Sequence, residues 1–335
     1  MTSEKKRVPP PTLIFELTSV VYPAFAFLAG CQLDLFSPLG DGPLTADQIA
    51  DALGVGVTKL RPLLYALVAS GLLVLEGDRF ANTDVATHYL VRSSPRYLGG
   101  MHELLSEMWE AVSQTSASIR SGIPKAKHDY AEASEEDLAQ ILRGLHPGTI
   151  AAAFAMLKRY DFSSFQALLD AGGGSGGVAI TIAENCPQIE ATIVDLPSVT
   201  SITRRFVERS PAASRIRVAS ADLVRETVEG IYDVAILRAF IHVLGPEEAR
   251  QALKRVGQAL SPGGYIYILG AVLDDSRISP PGTVSFNLVF LNVYDAGEAY
   301  TEREYRRWLE EAGFGHIERV ILPDGNSIIS AEKQG

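Results

Sequence analysis

Between Leu13 and Leu35 the apolar residues Leu13, Leu17, Val20, Val21, Phe25, Leu28 and Leu35 recur at mixed spacings of three and four, interrupted only by proline and glycine. Such spacing predicts a helix that is apolar over most of its surface. From Leu44 onward, Thr45 with Gln48 forms a capping box that opens a short amphipathic helix, and Gly54 stops it. A second helix runs from Lys59 to Ser70. Beyond Gly71 two short alternating runs, LLVLEG and RFANT, flank the turn residues Gly77 and Asp78. Helix, turn, helix and two-stranded wing make a winged-helix pattern over residues 12–100.

Residues 101–160 read as further helices: a run around Met108 and Trp109, and another from Leu138 to Tyr160. Breaks are expected near Gly122–Pro124 and at His146-Pro147-Gly148. This block is assigned as a linker and lid. After Phe162 the texture changes. Apolar runs (ALLDAG, EATIVDL, IRVASAD, YDVAILR, YIYILGAVL) alternate with helical ones (VAITIAENC, ITRRFVER, EEARQALKRVGQAL, EREYRRWLEEAG), which predicts an α/β domain over 161–333 with a parallel sheet covered on both faces.

Composition agrees with two folded domains: the chain has 335 residues, 47% hydrophobic and 21% charged. A formal net charge of −10 makes a polyphosphate backbone a poor partner, and the second helix offers only Lys59 and Arg61, so nucleic acid is not expected. Cys31 and Cys186 form no disulfide framework or metal motif, which points to a reducing cytoplasm. His146 and His242 with Asp233 or Asp295 lack metal-site spacing, and no metal is predicted. Met1–Pro11 reads as a flexible arm without an apolar leader. The stretch Val20–Gly30 contains Pro23 and is shorter than the roughly 20 residues a membrane helix needs, so no membrane is expected. Its apolar surface calls for a partner instead.

Candidate chemistry begins at Asp170-Ala-Gly172-Gly-Gly174-Ser-Gly176-Gly177, which follows the apolar run Ala167–Leu169 and opens a helix. Glycines let a backbone turn sharply and approach a ligand closely. The spacing alone leaves a dinucleotide fingerprint possible through Gly172, Gly174 and Gly177. The next strand ends in Asp195, where a nucleoside's ribose hydroxyls would lie, and the third is followed by Asp222, placed to accept from an adenine amino group. With Asp170 just before the glycines, this acidic cluster suits a sulfonium and an ammonium better than two phosphates. The alternative is that these aspartates cap helices.

Together with these features, LLDAGGGSG, IVDLP, the ADL at 221–223, AILRAFIHVLGPEEA, LSPGGYIYI and EREYRRWLEEAGF stand in an order that resembles the S-adenosylmethionine-dependent O-methyltransferases of the plant-caffeate and bacterial-polyketide type. The resemblance runs from about Leu13 to Ser330. It implies a Rossmann-like class I methyltransferase domain behind a winged-helix dimerisation domain, a homodimer through the N-terminal helices, and S-adenosylhomocysteine as product. Cofactor contacts are expected from Asp170, Gly172, Gly174 and Gly176 in the turn. Asp195, Leu196, Asp222, Leu223 and Arg238 complete that set. Substrate contacts fall on Trp109, His146, Phe154 and Phe286, and on Asn287, Phe290, Leu291 and Tyr294.

His242, just past the strand Val234–Leu237, is the expected catalytic base, because an imidazole takes a hydroxyl proton near neutral pH. The family follows this histidine with Asp-Trp and supplies a glutamate to orient it. Here Val243-Leu244 and Ala299 stand at those positions, with Glu298 the nearest substitute. An imidazole without a carboxylate loses tautomer control. Three functions follow: O-methylation of a hydroxyl acidic enough to ionise unaided, methyl transfer to carbon or nitrogen, or a cofactor-retaining relative that decarboxylates, hydroxylates or rearranges its substrate.

Overall fold

The computed structural model describes residues 9–335 and divides into two compact units after His102. The arm expected over Met1–Pro11 lies, up to Val8, outside the described residues.

In the first unit α1 (Thr12–Ser19) leads into α2 (Val21–Gln32). Pro23 falls in the first turn of α2, where a missing amide costs little. The two helices therefore carry on over Thr12–Gln32, 21 residues of mean hydropathy 1.7, long and apolar enough by length and composition to cross a membrane. Contrary to expectation, Pro23 does not interrupt the apolar stretch. No residue of α1 is buried, and Leu13, Phe15, Leu17 and Tyr22 stand more than 60% exposed within the unit. α2 packs inward through Ala26, Leu28 and Cys31, and at Gly30 a Cβ would lie 3.0 Å from the Phe36 ring.

Strand β1 (Leu44–Thr45) precedes α3 (Ala46–Leu53), whose start carries both hydrogen bonds of the Thr45–Gln48 capping box and whose end is Gly54 in the left-handed region. α4 (Val57–Ala69), β2 (Leu73–Glu76) and β3 (Arg79–Asn82) follow, with Glu76 paired to Arg79 around the Gly77-Asp78 turn. β1 adds a third strand to the wing in the order β1-β3-β2. α5 (Asp84–Leu90), capped by Thr83, closes the unit over Leu35, Phe36, Ile49, Leu64, Leu67 and Phe80.

From Glu103 the second unit takes in α6 (His102–Ser113), α7 (Thr115–Ser121) and α8 (Glu135–Arg159). Gly122 ends α7, but α8 runs unbroken through His146-Pro147-Gly148, against expectation. Buried residues lie on both sides of the proline, Leu138, Ile141 and Leu142 before it and Thr149, Ala153 and Met156 after it. Packing on this scale outweighs the roughly 3 kcal/mol an interior proline costs.

The sheet comes from β4 (Ala167–Ala171), β5 (Glu190–Asp195), β6 (Ile216–Ser220), β7 (Tyr232–Arg238) and β8 (Leu260–Gly270), all parallel. A two-residue parallel pair, β9 (Val272–Leu273) with β10 (Tyr300–Thr301), stands apart. β11 (Phe314–Ile321) and β12 (Ser327–Lys333) complete the seven-stranded order β11-β12-β8-β7-β4-β5-β6. Both join antiparallel, so the sheet is mainly parallel with an antiparallel edge. The short link from Ile321 to Ser327 makes a hairpin, whereas a parallel pair needs a crossover.

Alternate residues of each central strand belong to different cores. Leu168, Ile193, Val234 and Ile236 face α8 and α9 (Gly177–Asn185), with the end of α10 (Pro197–Val207); Leu169, Val194, Ala235 and Leu237 face α11 (Pro246–Gln258) and, past α12 (Pro281–Val293), α13 (Glu302–Glu311). A strand covered on both faces must be apolar at every position, which is why these runs do not alternate with polar residues. The chain winds outward from β4 to β6, then returns to β7 on the other side of β4, leaving a crevice at the strands' carboxyl ends. Ile236 sits fully buried in the middle strand of this core. Ile236→Ala is expected to lower unfolding stability by about 2–5 kcal/mol, read as a lower urea midpoint at unchanged m-value.

Candidate active site

β4 ends at Asp170 and Ala171, and the chain then reverses through Gly172, Gly174 and Gly176 at φ of 68°, 56° and 73° before α9 begins. A Cβ at Gly172 would lie 2.5 Å from the Phe240 ring, and one at Gly176 2.6 Å from Ile193, so the turn is closed to side chains. Asp195 at the end of β5 accepts the Gly174 amide on Oδ2 at 2.7 Å and the Leu196 amide on Oδ1 at 2.8 Å. Burial raises its carboxyl to about 6 against the pull of these two amides.

The turn forms one wall of a cavity of about 330 Å³, within the size range of small-molecule sites. Gly172, Gly174, Asp195 and Leu196 line it, as do Asp222, Leu223 and Arg238. The Asp222 carboxylate accepts the Val224 amide at 2.9 Å, which holds it at the wall. No hydrogen bond or ion pair of the Arg238 guanidinium is found among the described residues; burial lowers its pKa while Asp170 and Asp324 oppose that.

Two of the expected cofactor residues are elsewhere. Gly176 lies behind the wall against Ile193. Asp170, 1% exposed, turns under the turn and accepts the Ala179 amide at 3.2 Å, the helix-capping role that the sequence left as an alternative. Tyr130, Thr149, Phe240 and Val243 also line the cavity, none of them expected as a contact from the sequence. Phe240 lies two residues from both Arg238 and His242, so proximity in sequence was the available signal. Tyr130 had none.

His242 follows β7 in a single turn, 7% exposed and outside the cavity wall. Its ring stacks on Phe290 at 4.3 Å and 21°. Among the described residues it makes no hydrogen bond, and burial, reinforced by the Arg238 charge, pushes its pKa down to about 3. Glu298 does not reach it: that carboxylate pairs with Arg277 at 3.4 Å. Ala299 is fully buried, its amide bonded to Asn287 Oδ1 at 2.8 Å. Each pKa unit separating proton donor and acceptor costs about 1.4 kcal/mol, so this imidazole is a poor acceptor for an un-ionised phenol.

The expected substrate residues separate into groups. Phe286, Phe290 and Tyr294 form a run along α12, with ring centroids 5.2 Å and 5.8 Å apart. Phe290 is buried, while Phe286 is 40% exposed. Leu291 is half-buried on the same helix and Trp109 half-buried on α6. His146 belongs to the glycine turn: its Nδ1 lies 2.9 Å from Ser175 Oγ, its ring packs on Phe206, and burial lowers its pKa to about 4. Phe154 is 47% exposed on α8 and does not line the cavity. No group of three His, Cys, Asp or Glu side chains arranged to hold a metal occurs among the described residues.

The residues fit S-adenosylmethionine. A glycine cradle that a Cβ would fill, two aspartates at successive strand ends and a guanidinium unpaired among the described residues match a nucleoside joined to a zwitterionic sulfonium amino acid.

Comparison with known proteins agrees. A family model described as the O-methyltransferase domain matches residues 105–315, and one described as the O-methyltransferase dimerisation domain matches residues 15–92. The chain is 28% identical over 333 residues to the 3-hydroxy-5-methyl-1-naphthoate 3-O-methyltransferase of Streptomyces sahachiroi, covering 96% of this chain and 95% of that protein. It is 26% identical to the tetracenomycin polyketide synthesis 8-O-methyl transferase of Streptomyces glaucescens, with 96% of each covered. The crystal structure of human N-acetylserotonin methyltransferase in complex with SAM superposes with a TM-score of 0.83 at 22% identity over 100% of both chains, a likeness of fold.

Burial makes Asp170 a sharp test of the site's electrostatics. Its carboxyl is raised to about 7 in the folded chain, against about 3.9 unfolded. The folded state thus holds the extra proton, and this group's contribution to stability falls as pH rises from about 4 to above 7. Asp170→Asn removes that loss. The melting temperature of the variant relative to wild type is expected to rise between pH 5 and pH 8, and a constant difference would contradict it.

Proposed function

Because the chain belongs to the O-methyltransferase family, we propose that it methylates an oxygen of a small aromatic or polyketide-type metabolite whose hydroxyl ionises without a protein base. The observation that carries this reading is the setting of His242: buried, stacked on Phe290 and, among the described residues, without a carboxylate partner. The activities named for the two Streptomyces relatives support oxygen on an aromatic skeleton.

S-adenosylmethionine supplies a methyl activated by a sulfonium. The chain's own residues do the rest. Asp195 would offer its remaining lone pairs to the ribose hydroxyls, Asp222 would accept from the adenine amino group, and the Gly172–Gly174 backbone, which lines the cavity, would lie against the amino-acid end. Arg238 gives a carboxylate its charge partner. Phe240, Val243 and Leu244 present an apolar wall that keeps water from the reacting atoms, and holding them in line contributes through orientation. His242, stacked on Phe290 outside this wall, does not take the proton.

With methyl-labelled cofactor and phenols of graded acidity, label is expected in an ether product, with rates that follow the acidity of the phenol. His242→Ala is expected to lower kcat by less than about tenfold, whereas loss of a general base costs 10²–10⁴. A fall of a thousandfold would return the proton to His242. Label on nitrogen or carbon, or turnover without label, would establish one of the other two chemistries.

The dimerisation domain assembles two copies, and the exposed face of α1 and α2 is the surface we assign to that contact, in a cytoplasmic homodimer. A face this apolar needs covering. Leu17→Glu with Tyr22→Glu is expected to yield monomers in sedimentation velocity; a dimer of unchanged affinity would place the contact elsewhere.

A further inference from the structure

Tyr130 and Tyr294 come from unrelated parts of the second unit and meet hydroxyl to hydroxyl at 3.5 Å. Tyr130 lines the cavity assigned to the cofactor. Tyr294, at the end of α12, lies against Phe290, the ring that stacks on His242. The pair therefore stands between the cofactor cavity and the aromatic run of α12. Each ring packs in a different apolar cluster, Tyr130 with Leu138, Leu142 and Val199, and Tyr294 with Ala111, Val289 and Val293.

The contact between the hydroxyls is long, since O–H···O bonds fall at about 2.5–3.0 Å. Neither hydroxyl has another hydrogen-bond partner among the described residues. Two donors are thus held side by side with acceptors only in each other. A single oxygen about 2.8 Å from both would complete a triangle on the 3.5 Å base. Burial raises both phenols, Tyr294 well above 10, so they stay protonated and can only donate or share protons at working pH.

We propose that the Tyr130 and Tyr294 hydroxyls clamp a carbonyl oxygen of the substrate, which makes the substrate class an aromatic hydroxy-ketone or hydroxy-quinone with carbonyl and hydroxyl in conjugation. The inference rests on the methyl-transfer reading above and explains how a hydroxyl ionises there without a base. Loss of the hydroxyl proton to bulk water, before the apolar wall closes over the reacting oxygen, leaves an electron pair that conjugation spreads onto the carbonyl oxygen. Two fixed O–H donors meet that charge where it develops, the arrangement by which preorganised donors stabilise an oxyanion. The ionised oxygen then forms the new bond to the methyl carbon as the carbon–sulfur bond breaks, and the sulfur keeps that bond's electron pair.

The test uses full-length protein saturated with S-adenosylhomocysteine and two matched probes. One is 6-hydroxy-1-tetralone, the other 5,6,7,8-tetrahydro-2-naphthol, the same phenol without the carbonyl. Calorimetry is expected to show at least tenfold tighter binding of the ketone by wild type, and its ultraviolet spectrum a phenol pKa below the free value. Tyr130→Phe and Tyr294→Phe should each reduce the preference by about 2–12-fold, the worth of one neutral hydrogen bond, and the double variant should abolish both effects. Equal binding of the two probes by wild type, or a preference that survives both substitutions, overturns the clamp. Binding of S-adenosylhomocysteine, measured first, reports the cofactor site separately. The wild-type comparison stands whether or not either variant folds.

Discussion

The Asp195 carboxylate holds the site together. One oxygen takes the amide of Gly174 and the other that of Leu196, so a single side chain ties the glycine turn after β4 to the end of β5. The turn has three residues at positive φ and makes few side-chain contacts of its own, so its shape depends on these anchors. Thr203, on α10, adds another by donating to the Gly174 carbonyl at 2.6 Å. A carboxylate already engaged by two amides can still accept from ribose hydroxyls, because each oxygen has two lone pairs. On the proposed reading the same group thus carries both structure and binding.

Asp170 is the buried counterpart. It caps α9 from beneath the turn, and burial raises its carboxyl to about 7. His242 and His146 are pushed the opposite way, towards the uncharged base, by the same burial. The raised carboxyls favour folding at low pH and the depressed imidazoles favour it at high pH, so their linkage effects oppose each other between about pH 4 and 6.5. Asp195, Asp222 and Arg238 all face the cavity. That is the pattern required to receive a ligand carrying charges of both signs.

Much of this was legible in the sequence, for identifiable reasons. Capping boxes are local, so Thr45 with Gln48 could be read directly. Strands covered on both faces write themselves as apolar runs, and aspartates at strand ends fall at the carboxyl edge of any such sheet, which is how Asp195 and Asp222 could be named. Side-chain direction is not local. Asp170 differs from Asp195 in pointing under the turn, which depends on Ala179 presenting an amide there. The course of α8 through Pro147 depends on packing from both sides, and the antiparallel edge on the hairpin after Ile321. Tyr130 lay in a stretch without periodicity. Its place is set by long-range bonds, Ala126 and His128 amides to the carbonyls of Asn292 and Val293, and Ser198 Oγ to its own carbonyl.

These bonds bear on how the site replaces what His242 lacks. The segment carrying Tyr130 is pinned to the end of α12, the helix that bears Phe290 and Tyr294, while Asn292 at 0% exposure joins that helix to α7 through Ser118 and Thr115. Both tyrosines thus sit on one braced assembly, and neither donor has to be ordered when a substrate arrives. An imidazole–carboxylate base lowers the barrier by accepting the proton, whereas two fixed hydroxyls lower it by stabilising the anion left behind. The second route needs no titrating group near neutral pH. It is compatible with a histidine that burial has made inert, and it shifts the chemical requirement from the protein to the acidity of its substrate.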